Sequence, residues 1–168
     1  MVEESCTKEA NMVVNKVIGN LKDSSEFKGK PIFYVDIDWH DVHKKIQRKN
    51  IENGIEIGMR FEDGILIHGL RQDDVLYMDD QMVVAVNIPE CAALVIHVED
   101  IHLLPKVCYE IGNKHMPFFK GNGHYEFITP YDAPLEVLLQ KLGAKVTKEN
   151  VSLDLSRAIS SSLGGHHH

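Results

Sequence analysis

The side chains of this sequence most capable of chemistry are its ten histidines. Three, His40, His43 and His68, precede Glu90 and seven follow it, so imidazole chemistry is expected in the C-terminal half. His115, in the segment CYEIGNKHMP, follows Gly112-Asn113, residues suited to the left-handed turn just beyond a helix, and is therefore expected on a surface. One imidazole cannot hold a divalent ion tightly, because a stable site needs several ligands at about 2.1 Å. Two copies of the chain meeting across a two-fold axis near this loop would offer the same histidine twice to one ion. His166, His167 and His168 end the sequence after a Gly-Gly spacer. They could act as a mobile arm that wraps an ion held elsewhere, since neutral imidazole suits zinc, copper and nickel. The same ending has the form of an appended purification sequence, and the tail alone supports both readings equally.

Other constellations weigh less. His40 and His43 flank Asp41 with the spacing of ligands on a helix face, but the stretch reads as β, where residues three apart point to opposite sides of a sheet. No metal site is expected there. Cys108 and His115 stand two helical turns apart, as a thiol and its base would; Cys108, however, falls on an apolar stripe, where burial raises a thiol pKa and leaves it inert. His97 alternates with Ile96 and Val98 and is assigned to a half-exposed sheet face, while His102 and His124 are placed at solvated element ends within approach of a bound ion. No Ser/His/Asp set, acid/base carboxylate pair or nucleotide loop is legible, so no catalytic site is expected.

The elements that must carry these residues belong to an ordinary globular protein: 168 residues, 43% hydrophobic, enough for one or two small cores. Twenty-five acidic against eighteen basic side chains give a net charge of -7, the wrong sign for tracking a phosphate backbone or an anionic lipid surface. The longest apolar stretches, around Met82–Val86 and Cys91–Ile96, fall far short of the roughly 20 residues of a membrane span. The polar start MVEESCTKEA lacks a secretory apolar run, so a cytoplasmic location is expected. Cys6, Cys91 and Cys108 form no C-x-x-C pair and are expected as reduced thiols.

From Met12 to Ile88, β-branched and aromatic runs (MVVNKVI, IFYVDID, IEIGMRF, ILIHGL, VLYM, QMVVAVNI) alternate with turns, predicting a small all-β sandwich or barrel in which Asn53-Gly54 and Asp63-Gly64 make tight hairpins. After Pro89 the order becomes β-α-β-β-α-β, the ferredoxin-like arrangement of two helices on a four-stranded antiparallel sheet. The fold class is therefore α+β, with an all-β domain over 1–89, a ferredoxin-like domain over 90–155 and a mobile tail over 156–168. Asp100 is expected to cap the first helix, whose stripe is Leu104, Val107/Cys108 and Ile111, with Pro105 in the first turn. The second helix spans Leu135–Leu142 and ends at Gly143.

The run VCYEIGNKHMP resembles the characteristic Gly-Asn-Arg-His segment of the UreE-type urease accessory proteins, with Lys114 in place of arginine. VNKVIGNLKD, the Asp38-Trp39 segment followed by a basic strand, DDVLYMDDQMVVAVNIPE and LEVLLQKLGAKV are similar to that family in order and spacing, so the resemblance spans residues 12–155. It implies a cytoplasmic nickel chaperone: a homodimer joined through the second domain, its β domain like the peptide-binding domain of heat-shock co-chaperones. Ni(II) would be held by His115 of both copies, with His166, His167 and His168 as further ligands, and passed to apo-urease through the GTPase accessory protein UreG. The resemblance favours a native tail. Zn(II) and Cu(II) are competitors for such ligands. Three departures stand out. Tyr131 and Ala133 occupy positions where some members carry extra histidines, Asp73-Asp74 replaces a common Gly-Asp turn, and Lys114 lacks the planar fork of arginine. The competing reading is a non-metal interaction module whose acidic β domain docks a client peptide, with incidental histidines; metal-dependent dimer stability separates the two. A metal-dependent hydrolase would need mixed carboxylate and histidine ligands at an open site, and no such spacing is visible.

Overall fold

A computed structural model describes residues 12–159. The chain divides into two compact units at Asn87/Ile88, each with its own sheets.

The first unit contains β1 (Met12–Val14), β2 (Gly19–Asn20), β3 (Ile32–Asp36), β4 (Ile46–Asn50), β5 (Glu56–Arg60), a one-turn helix α1 (Ile65–His68), β6 (Asp74–Met78) and β7 (Val83–Asn87). One sheet runs β1-β5-β4 and the other β2-β6-β7-β3, with β1 parallel to β5 and β3 parallel to β7. Val83, Val84, Ala85 and Val86 are all buried because β7 is an inner strand, the setting in which an unbroken apolar run fits better than alternation. In β5 only Ile57 and Met59 turn inward, following the two-residue period.

Two local expectations change here. ILIHGL is not a strand; Ile65–His68 close a helical turn and Gly64 has φ -56°, so Asp63-Gly64 leads into a helix and makes no hairpin. Asn53-Gly54 does turn, with Gly54 at φ 83° between β4 and β5. The stretch IQRKN has no apolar alternation, and only the family resemblance points to a basic strand there. As β4 it lies at a sheet edge, where charged residues are common and Gln47 is the buried side chain.

The second unit contains β8 (Cys91–His97), α2 (Leu104–Asn113), β9 (Phe119–Lys120), β10 (Glu126–Pro130), α3 (Ala133–Leu142) and β11 (Lys145–Val151). The sheet order β11-β8-β10-β9 with antiparallel neighbours is the ferredoxin-like topology. Leu94, Ile96 and Val98 pack on Val107 and Ile111 of α2 and Leu135 and Leu139 of α3. Truncating any of the larger ones would cost about 2–5 kcal/mol.

Asp132 caps α3 by accepting from Leu135 N at 2.7 Å, and Gly143 ends it at φ 96°. Asp100 does not cap α2. Its carboxylate accepts from His102 N at 2.9 Å in a local turn, and the helix begins three residues later with Leu103 at the cap and Pro105 in the first turn. The described chain also continues past Ser156 as bonded structure, to Ile159. Asp154 caps a 3-10 turn over Leu155–Arg157, Ala158 bridges to Phe119, and Ile159 N donates to Phe118 O at 2.7 Å. The segment after β11 therefore runs from one edge of the sheet to β9 at the other, and backbone bonds to that edge replace the apolar periodicity the sequence lacks.

Candidate metal centre

His115 stands where α2 ends, but Gly112-Asn113 does not make the left-handed turn. Gly112 and Asn113 are still helical, Lys114 is the C-cap, and His115 itself takes the left-handed conformation at φ 52°. His115 N donates to Gly112 O at 2.9 Å and Met116 N to Ile111 O at 3.3 Å, the paired bonds of a Schellman cap. Met116 packs into the core that contains Ile111, completing the hydrophobic contact of that motif. The left-handed position is one glycine fills without strain, and a side chain there costs about 1–2 kcal/mol. Here the imidazole is exposed, as expected, and the cap fixes its direction from the backbone.

Lys114, before it, makes one contact with Asp132 Oδ1 at 3.3 Å, the same oxygen that caps α3. The ammonium thus keeps a charge contact without a fork, and a single carboxylate oxygen ties the His115 turn to the start of α3. Just before that helix, the Tyr131 ring carries the Lys148 ammonium 3.8 Å from its centroid, an aromatic–cation contact. The Asp73-Asp74 turn keeps its geometry without glycine, since Asp73 adopts φ 68° and aspartate is among the side chains that tolerate it.

His97 is half-buried on β8, and His102 and His124 are exposed, the latter's ring 4.3 Å from that of Tyr125. Cys108 is half-buried against the core, and burial pushes its thiol upward, in keeping with an inert sulfur. His166, His167 and His168 lie outside the described residues. Ile159, the last described residue, is bonded to Phe118, three residues after His115.

Among the described residues, three donor side chains come together in one group: Asp38, His40 and Asp41, whose ligand atoms lie within 4.8 Å of one another. The β reading of this stretch was the wrong local geometry. Residues 39–43 form turns in which Asp41 N donates to Asp38 O at 2.8 Å and Lys44 N to Asp41 O at 2.9 Å. That fold joins residues two and three apart and leaves out His43, whose Nδ1 lies 3.4 Å from Ile65 O. The signal available in the sequence was Asp-x-His-Asp at the end of a strand, with two turn-forming aspartates. Gln47 is the strut beneath, its Nε2 donating to Asp41 O at 2.9 Å and Lys44 O at 3.2 Å. Burial pushes the Asp41 carboxyl up, but the Lys44 ammonium, with His40 and Lys49, outweighs it and holds the group below the ordinary carboxylate value.

Comparison with known proteins agrees with both units. Residues 14–89 match the N-terminal domain of the UreE urease accessory protein and residues 92–168 its C-terminal domain. The chain is 37% identical over 157 residues to the urease accessory protein UreE of Acetivibrio thermocellus, covering 94% of this chain and 97% of that protein. It is 32% identical over 152 residues to UreE of Helicobacter pylori strain G27, covering 90% of this chain and 88% of that one, with the same values for Helicobacter acinonychis.

Proposed function

This chain belongs to the UreE family of urease accessory proteins, which act in urease maturation, and from that premise we propose that it is a cytoplasmic nickel chaperone working as a homodimer. Ni(II) is its cargo. One ion sits between the His115 imidazoles of two copies, His166, His167 and His168 complete a labile shell, and the ion passes by ligand exchange to apo-urease through the GTPase accessory protein UreG. Only coordination bonds are exchanged, in keeping with the accessory role the family name states.

The observation that carries the reading is His115 itself: an exposed imidazole held in a left-handed cap that glycine would fill without strain. Such local strain is retained where position matters more than stability. Two features support it. Tyr109, 66% exposed on the same helix, offers a ring with which a second copy could cover the approach to the loop. Ile159, nine residues before the end of the sequence, is bonded to Phe118, three positions after His115. Imidazole binds a metal only in its neutral form, so acid competes with the ion for these ligands. Copper binds such ligands at least as tightly and zinc competes, so nickel follows from the family and not from the donors.

Calorimetric titration of the dimer with Ni²⁺ tests this. His115→Ala should remove the tightest ion and lower the stoichiometry by one per dimer; unchanged affinity and stoichiometry would overturn the assignment.

A further inference from the structure

The turn between β3 and β4 has a composition that the His115 reading does not use. Its three donors are one imidazole and two carboxylates from a single copy of the chain, the mixture that suits zinc, nickel and copper. Asp41 is the fixed member. It is 8% exposed, and its Oδ1 is sealed from solvent beneath the Lys44 ammonium that answers it. That oxygen is aimed at a spot it shares with His40 Nε2, 3.5 Å away, and with the Lys44 ammonium, 2.6 Å away.

The Lys44 side chain is 59% exposed, so a cation already rests at this position on a flexible stem. Lys49 stands further off, 3.7 Å from Asp38 Oδ2 and from Asp41 Oδ2. Donors around a four-coordinate ion lie about 3.4 Å apart, so closing the group needs only small rotations of the exposed Asp38 and His40 side chains. The backbone below them is held by Gln47.

We propose that Asp38, His40 and Asp41 form a second cation site, in the N-terminal unit, for a first-row divalent ion of the zinc, nickel and copper class. The Lys44 ammonium holds the place and leaves when the ion enters. Three protein ligands leave positions for water, and competition from Lys44 weakens the grip, so the site is an exchangeable one. It is complete within one copy of the chain and does not depend on His115.

Trp39 supplies the readout. It is the single tryptophan of the sequence, and its ring lies edge-on to His40 with centroids 5.6 Å apart. A Cu²⁺ ion on His40 therefore quenches it at contact range, and diamagnetic Zn²⁺ does not. The experiment uses the full chain with His115, His166, His167 and His168 all replaced by alanine, which removes the proposed nickel shell. Cu²⁺ should still quench Trp39 saturably, one ion per protomer, with recovery on excess Zn²⁺. Adding His40→Ala or Asp38→Asn should raise the midpoint about tenfold or more, at least the loss seen when a supporting group of a metal site is removed. Lys44→Gln should lower it severalfold.

Absence of saturable quenching in the stripped background would overturn the proposal. So would a midpoint indifferent to both His40→Ala and Asp38→Asn. Either result leaves the calorimetric test of His115 untouched, and failure of that test leaves this one intact.

Discussion

The His115 loop and the Asp38–Asp41 turn present donors by opposite means. At the end of α2 one imidazole is aimed by backbone geometry: two hydrogen bonds close the cap, Met116 anchors it to the core, and the histidine bears the left-handed strain. At the end of β3 three donors gather within a single turn, but two ammonium groups share the carboxylates. As proposed, the first has precision and too few ligands and draws on a second copy, whereas the second has three ligands that an incoming ion must share with ammonium groups. The number of donors in a loop is therefore a poor measure of a metal site; what matters is which charges already answer them and what fixes the backbone.

The largest expected effect tests the backbone of the N-terminal turn. Gln47→Leu keeps the volume but removes the donor to Asp41 O and Lys44 O in a buried place, which should cost about 2 kcal/mol. It should appear as a lower urea midpoint with unchanged slope. Cu²⁺ quenching of Trp39 should weaken with it, while Ni²⁺ binding at His115 stays. A variant as stable as the parent would mean that the turn is held by its own backbone bonds.

The matching cut in the other loop is Asp132→Ala. It removes the cap of α3 and the contact to Lys114 together. Loss of such a cap costs about 1 kcal/mol, and the partly exposed ion pair adds only a few tenths. The midpoint should fall accordingly, and Ni²⁺ affinity should fall too if the link to α3 helps to place His115. Stability lost with no change in affinity would show the cap alone to be sufficient.

The two units also differ in how far the residues alone revealed them. In the second, Leu135, Leu139 and Gly143 follow helix rules that need no distant partner, and the strand and helix order fixed the ferredoxin-like topology. In the first, ILIHGL has apolar residues that fit either period, and its one-turn helix could not be told from a strand. IQRKN has no period at all because an edge strand needs only Gln47 inside. The same split runs through the donors. The exposure of His115 followed from its place after a helix, whereas the Asp38 group arises from turn bonds that a strand reading excludes. That His115, and not Asn113, would carry the positive φ was also hidden, because Gly112-Asn113 is a plausible stop two residues too early.

The smallest effect has the opposite sign and separates position from identity. His115→Gly places glycine at the left-handed cap, relieving a cost of about 1 kcal/mol, and should raise the thermal midpoint of the metal-free protein. His115→Ala, which keeps the strain, should not. Both variants lose the imidazole and should lose the Ni²⁺ ion alike. A more stable protein that no longer holds its cargo would mean that the histidine persists at a structural disadvantage because of the ion it binds. Equal stability of the glycine, alanine and parent proteins would instead show that the cap tolerates any side chain, and the strain argument for His115 would lapse even if the ion still bound there.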